Sequence, residues 1–549
     1  MTISYLKLKK VAFFCLALPS VIFVLGFLKW YIGIPVALLL GLAYFFSVRD
    51  MKSEEDRTVT LSIPSLLLLF GVVVLWCYLA GLGNLYSQSD DWAARNAIFR
   101  DLIRFEWPVV YGTKNAALVY YIGFWLPAAL LGKGTFLLTG RLSIAWTVGN
   151  MALWAWSAIC VFIIFLLVFV YMKVSNRKQM WWIVLIFIFF GGVDILGTLY
   201  NTIFRHWAFP IHLEWWTSYQ FSSMTTALNW VFNQSIFAWM ATILFLLEKR
   251  VRNYAFIIVF VLSSSPMPAV GLGLYMVGYA VYLLWHAAKA KQVGAFFRDV
   301  FTVQNVVAAV TLVPIYFLYY KTNLAVNVGQ AYTVTPPRDW GGIVFLFVLA
   351  AALVAAMLML RRRKPDLSVK LWLTAIVTLA IIVAVMLLDP STRLQYFFFL
   401  LMEAFVFLLL IWSDFKEDPL FYLTWGIAML CPLITVGTAA DFCMRASIPM
   451  VFVLMMLCMR YLFGHASLLK EKTSLRKVLY IALIVVMVLG AITAVIEFYR
   501  GAREFILGKR AFDWIYTMDQ IFTGPIEGTD RNFIANSYRE HFFFRYLSK

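Results

Sequence analysis

Leu118-Val119-Tyr120-Tyr121-Ile122-Gly123-Phe124-Trp125-Leu126-Pro127-Ala128-Ala129-Leu130-Leu131-Gly132-Lys133 decides how the chain is threaded. At ~1.5 Å per helical residue this apolar run reaches roughly 24 Å, short of the ~30 Å of a hydrocarbon core. Read as a crossing, it puts Lys173, Arg177 and Lys178 on the opposite side from the other basic clusters. Read as a juxtamembrane or re-entrant helix, it puts every cluster on one side, where the positive-inside rule wants them. The second reading is adopted. Tyr120, Tyr121 and Trp125 also suit the aromatic belt at a membrane interface.

That choice presupposes a membrane protein, and the composition supplies one. Of 549 residues, 63% are hydrophobic, 18% aromatic and only 13% charged, where a soluble domain carries roughly a quarter charged residues; mean hydropathy is +0.83. The net charge of +18 lies in short clusters between apolar spans, which is a topology signal and not a nucleic-acid surface. Five of the six cysteines (Cys15, Cys77, Cys160, Cys431, Cys458) fall inside apolar spans and only Cys443 near an aqueous loop, so no disulfide framework or CxxC metal site is expected. Lys7, Lys9 and Lys10 precede an apolar run with no small-residue cleavage site, which reads as an uncleaved first helix.

Working outward, the predicted spans are 11–28, 31–47, 61–80, 143–172, 181–199, 222–247, 253–264, 269–286, 303–320, 342–360, 370–388, 394–412, 420–436, 447–463 and 478–497. The fold class is all-α: a polytopic integral membrane protein of about 13–15 helices. The clusters at Lys173, Arg177 and Lys178; Lys249, Arg250 and Arg252; Lys289, Lys291 and Arg298; Arg361 to Lys364; and Lys470 to Lys477 then face the cytoplasm with the N-terminus. Residues 81–142 and the tail after 498 face the other side of the cell membrane. Residues 253–264 are too short for a comfortable span, and Ser263-Ser264-Ser265-Pro266-Met267-Pro268 predicts a broken helix there. Four segments follow: a hairpin over 1–60, a module over 61–300, a second over 301–497 and an amphipathic tail over 498–549.

The chemistry is sought in the outer loops. The first carries Ser87-Gln88-Ser89-Asp90-Asp91-Trp92-Ala93-Ala94-Arg95-Asn96 and, further on, Arg100 and Arg104. Two adjacent carboxylates offer a proton acceptor or metal ligand beside cations that can hold a phosphate. Adjacent residues cannot both point one way, so Asp90 is expected to face a cavity while Asp91 caps the helix that follows. Later outer segments carry Asp194, Arg205, His206, His212, Glu214, Trp215 and Trp216; Lys321, Arg338 and Asp339; Asp389 and Arg393; Asp441 and Arg445. Charges within spans cost on the order of 2.5–3.5 kcal/mol each, so acids and bases at several helix ends suggest a shared aqueous cavity.

Other motifs fail on context. Gly271-Leu272-Gly273 lies inside an apolar span and reads as helix packing. His206, His212 and Glu214 match no strong metal template. Asn233-Gln234-Ser235 has the form of a glycan acceptor but sits within a predicted helix. No Walker motif, nucleophile elbow or internal repeat is apparent.

An apolar helix delivering Asp90-Asp91 into a long first outer loop, a short aromatic helix ending near Gly132-Lys133, and Arg141-Leu142 opening a long helix that ends in lysines together resemble the catalytic module of the GT-C superfamily of integral-membrane glycosyltransferases. The likeness covers roughly residues 61–300. It implies transfer of a sugar from a polyprenyl-phosphate donor, of the undecaprenyl-phosphate type, to an extracytoplasmic glycan, lipid or protein acceptor. Asp90 or Asp91 would act as base or metal ligand, with Mg or Mn as the candidate cation. It also implies a second acidic residue, for which Asp194 or Glu214 stands in place. The first two helices are an addition before the usual start of that module.

The residues fit such chemistry on their own terms. Arg393 and Arg445, with Arg338 and Lys321 behind them, are candidates for the donor phosphate. Arg95, Trp92, His206, His212 and Trp215 are candidates for substrate contacts, the aromatic ones through flat faces for sugar rings. A flippase, polymerase or ligase of lipid-linked polysaccharide, or a secondary transporter, is the alternative. A transporter would place its site at the midplane with repeat symmetry.

Overall fold

The computed structural model describes residues 1–49, 51, 56–112, 115–204, 206–248, 250–324, 373–378, 380–381, 393–434, 436, 440–470, 474–508, 517–518 and 532–549. In chain order the elements are β1 Thr2–Ser4, α1 Tyr5–Phe27, α2 Trp30–Arg49, β2 Thr58–Thr60, α3 Ile63–Leu79, α4 Trp92–Arg104, β3 Val110–Tyr111, β4 Ala116–Leu118, α5 Leu126–Thr139, α6 Leu142–Tyr171, α7 Arg177–Phe189 and α8 Asp194–Phe204. They continue with α9 Met224–Leu247, α10 Tyr254–Val261, α11 Pro266–Lys289, α12 Val293–Val300, α13 Val303–Tyr320, α14 Arg393–Leu400, α15 Val406–Phe415, α16 Pro419–Leu430, α17 Asp441–Ala446, α18 Ile448–Gly464, α19 Leu475–Ile506 and β5 Ile534–Asn536.

Nine helical stretches among the described residues are long and apolar enough to cross a membrane, and four shorter apolar ones accompany them (Ile63–Leu79, Val251–Val261, Pro419–Leu433, Ile448–Gly464). Each coincides with a span expected from the apolar runs. Those expected at 342–360 and, for the most part, 370–388 lie outside the described residues. Helices dominate because lipid offers no partner for a backbone N–H or C=O, which a helix satisfies internally. The chain is an all-α polytopic membrane protein apart from two small sheets.

Contacts divide the chain into two units: Met1–Ile188, Thr225–Gln330 and Glu497–Lys549 form one, Phe189–Met224 and Ala331–Ile496 the other. The first unit's two sheets mark opposite ends of α1, which at ~1.5 Å per residue over 23 residues is roughly 34 Å long. At one end, β1 pairs antiparallel with β2, Thr2 opposite Thr60. At the other, the chain turns at Leu28, which bridges Ser548, while Lys29 N–H donates to Leu547 O at 2.9 Å and Lys549 N–H to Phe27 O at 3.1 Å. There too β5 of the tail adds to the β3–β4 hairpin of the first loop, Leu118 opposite Ile534. The tail therefore sits at the end that holds residues 81–142, away from the N-terminus, as the charge parity requires.

Residues 118–133 do not form one helix of spanning length. Leu118 ends a strand, Gly123–Trp125 make a short 3-10 turn, and α5 runs 14 residues, roughly 21 Å. Gly140 closes it at φ 65°, the left-handed conformation that glycine takes most cheaply. The chain then reverses into α6. Leu137 and Leu138 near this turn are 78% and 89% exposed, an apolar tip suited to an interface.

Two ion pairs, the first of them buried, fix other helices of this unit. Lys9 of α1 pairs with Glu248 at the end of α9, both side chains buried, and its ammonium lies 5.4 Å from the Phe13 ring centre. Arg250 grips Asp299 of α12 with two bonds of 2.5 and 2.6 Å.

Candidate functional site

In the first unit, the segment after α3 is tied down before it delivers its acids. Gln88 Nε2 donates to Gly81 O at 2.9 Å and its Oε1 accepts from Asn96 Nδ2 at 2.8 Å; Ser87 Oγ donates to Glu504 Oε2 at 2.8 Å. Gly81, at φ 84°, allows that close return of the chain. Asp90 and Asp91 follow, both exposed. Asp91 stands at the start of α4 but its carboxylate caps no backbone N–H; it accepts instead from Arg95 Nη2 at 2.9 Å, one helical turn on. The expected capping role is corrected accordingly: at φ −61°, ψ −21° Asp91 is already helical, and a capping residue needs an extended backbone to turn its side chain onto the N–H groups.

The same unit brings a second arginine, Arg500 near the end of α19, to the loop that carries Asp90, since its partner Glu504 also holds Ser87. Arg500 also donates to Glu497 Oε2 at 2.8 Å, approaches Glu504 Oε2 at 3.5 Å and lies 5.2 Å from the Trp230 ring centre. Acids and arginines thus alternate along the head of α4 and the end of α19, each cation held by a carboxylate. Arg500, Glu497 and Glu504 were not singled out from sequence. Their signal was a charged cluster at i, i+3 and i+7 ending an apolar helix.

Trp92 is corrected from substrate contact to anchor. It is buried, stacks on Phe232 at 4.9 Å and donates its indole N–H to Asn229 O at 3.0 Å, leaving no open face for a sugar. Asn233 and Gln234 are fully buried within α9, out of reach of glycosylation. Lys321 is exposed just past α13.

Deeper in α4, Asp101 is fully buried, accepting from Tyr111 OH at 2.8 Å and Met518 N–H at 3.1 Å. Burial pushes its carboxyl up to about 6 from an ordinary 3.8, partly opposed by those two bonds and by Arg100 and Arg104. Lys133, whose ammonium bonds Phe105 O, is pushed down by burial against the opposing pull of Glu106.

The second unit gathers the other acids. The span expected at 181–199 breaks at 190–193, and Asp194 opens α8. Asp194 Oδ1 accepts from Trp216 Nε1 at 3.1 Å and Oδ2 from Thr493 Oγ1 at 2.9 Å, and the buried Glu403 carboxyl lies against Gly192, two residues before Asp194. Glu214 lies in the turn Leu213–Trp216 and accepts from Gln220 Nε2 at 2.6 Å and Ser223 N–H at 2.8 Å. His212 Nε2 is 3.9 Å from Glu214 Oε2, and its ring packs 4.6 Å from Trp215, which is exposed. Asp194, Glu214, His212 and Trp215 thus come together, while His206 is exposed at φ 56°. Glu403 was missed from sequence although an acid alone in an apolar run is a recognised signal.

Of the arginines, Arg445 Nη1 bonds Asp441 Oδ1 at 2.7 Å within α17. Arg393 begins α14, but its side chain is outside the description, and Arg338 lies outside the described residues. Among the described residues no group of three or more His, Cys, Asp or Glu side chains is arranged to hold a metal ion. All six cysteines are buried thiols, Cys443 included.

No protein-family profile matches the sequence, and no curated protein or solved structure is detectably similar to it.

Proposed function

We propose that the chain is an integral-membrane glycosyltransferase of GT-C type that moves a sugar from a polyprenyl-phosphate donor to an extracytoplasmic acceptor. The observation that carries the reading is Asp90, an exposed carboxylate at the head of a helix in the first loop, with the Asp91–Arg95 pair beside it and Arg500 reaching the same loop through Glu504 and Ser87. A base for this transfer must reach solvent and acceptor while cations stand near enough to take the charge of the departing phosphate. In this reading Asp90 removes or orients the acceptor hydroxyl proton. Asp91 holds Arg95. Within the second unit, Arg445 and Arg393 are the proposed groups for a donor phosphate and Trp215 for a sugar ring.

The test is direct transfer: purified protein in lipid, given a synthetic polyprenyl-phosphate sugar and a panel of hydroxyl acceptors, should release the free lipid phosphate. Donor that is bound but only moved across the bilayer would replace this reading by the second one. That alternative, a flippase or secondary transporter, is favoured by one feature, the Asp194–Glu403 carboxyl pair inside apolar spans at a helix break.

A further inference from the structure

We propose that Asp194 and Glu403 share one proton and form an exchangeable proton site at the break between α7 and α8. A hydrogen bond between two carboxyl groups needs a proton on one of them, and the donors around the pair say which. Both Asp194 oxygens receive donors, from Trp216 and Thr493, as an ionised carboxylate would. Glu403 is 3% exposed, its carboxyl lies against Gly192, two residues before Asp194, and neither of its oxygens receives a well-formed hydrogen bond among the described residues. The Trp216 indole bonds Asp194. Glu403 is therefore the acid that donates, and Asp194 the base that accepts.

The backbone is built for the contact. Glu403 sits in a π-helical turn over Leu401–Phe405, a distortion that tends to mark functional positions in helices. Val193 N–H donates to Met402 O at 3.2 Å, and the Glu403 carboxyl occupies the space a Cβ on Gly192 would take, so a larger residue there would displace the carboxyl. The other titratable groups facing the pair are Glu214 and His212 from the turn before Trp216, and Cys443 of α17. Glu214 is occupied by Gln220 and Ser223. His212, whose Nε2 is 3.9 Å from Glu214 Oε2, is the base this turn supplies for a departing proton.

The consequence is a latch. With the proton in place, Glu403 holds α8 against the π turn. Once the proton leaves to His212 or water, two carboxylates face each other in a medium where like charges repel strongly. They separate, and the Val193–Met402 bond opens. This inference is independent of whether Asp90 is a base.

Infrared difference spectra of the full-length protein in lipid, before and after Glu403→Gln, test it. At neutral pH the wild type should show the carbonyl stretch of one protonated carboxyl that Glu403→Gln abolishes, that Asp194→Asn shifts in frequency, and that Glu214→Gln leaves alone. Amide hydrogen exchange over 190–196 should accelerate beyond its intrinsic pH dependence as pH rises in the wild type, and should not in Glu403→Gln, whose neutral amide cannot ionise. If Glu403→Gln does not fold, the shift in Asp194→Asn decides. Wild-type and Glu403→Gln spectra with the same carboxyl bands, or a site that responds to sodium and not to pH, would overturn the proposal.

Discussion

Asp101 joins three pieces of one unit: the α4 helix, the Tyr111 hydroxyl and the Met518 backbone. Its carboxyl, at about 6 in the folded protein against 3.8 unperturbed, binds more protons folded than unfolded between those values. Stability is therefore highest below pH 4 for this group and falls as pH rises toward 6, by on the order of 1.4 kcal/mol per unit of difference. Thermal melting of Asp101→Asn should be flatter across that window than wild type; parallel curves would remove the residue from the pH response. The phosphate assignment makes a separate prediction: Arg445→Ala should weaken donor binding and turnover together, with Arg445→Lys restoring only part because the planar fork is lost. Unchanged donor affinity would leave Arg445 a structural partner of Asp441. At this scale the sequence was legible wherever chemistry showed as a local pattern, as in Asp90-Asp91. It was not legible for Glu403, one acid in an apolar run whose partner lies more than two hundred residues away, nor for the burial of Trp92, which only packing determines.

Among the elements, the apolar runs could be read because a spanning helix must be both long and apolar. The three-residue strands could not, since pairing such as Ala117 with Ala535 is decided by tertiary contact and not by propensity. The tail strand is nonetheless a strap: Ala535 is fully buried and β5 has β4 as its partner. Ala535→Pro should lower the melting temperature through a lost ladder bond and ring clash, with the first loop becoming a site of proteolysis; an unchanged melt and digest would mean the strap carries no stability. The Lys9–Glu248 pair makes an opposite point. Glu248→Ala strands a buried ammonium, which typically costs 3–5 kcal/mol or so, whereas Lys9→Met with Glu248→Leu should be nearly neutral. A double variant as unstable as the single one would show that the pair itself, and not its broken half, sets the cost.

For the whole molecule, the charge parity and the two small sheets agree on which segments share an end, though the parity came from lysines and arginines and the sheets from backbone pairing. A cysteine at Glu540 and one at Arg177 should accordingly label from opposite sides of sealed cells, Glu540→Cys from outside; labelling from one side would undo the threading. What the sequence could not reveal is the interleaving of the two units, in which Phe189–Met224 leaves the company of its chain neighbours to join residues after 331. The central claim remains chemical, and Asp90→Asn tests it most directly. Asn keeps the side chain's shape but accepts no proton, so sugar transfer from a synthetic polyprenyl-phosphate donor by the purified variant in lipid should fall by roughly 10²–10⁴-fold with donor binding kept, while Asp91→Asn, which only loosens Arg95, should lose much less. Near-normal turnover in both variants would contradict the account and take the first loop out of the mechanism.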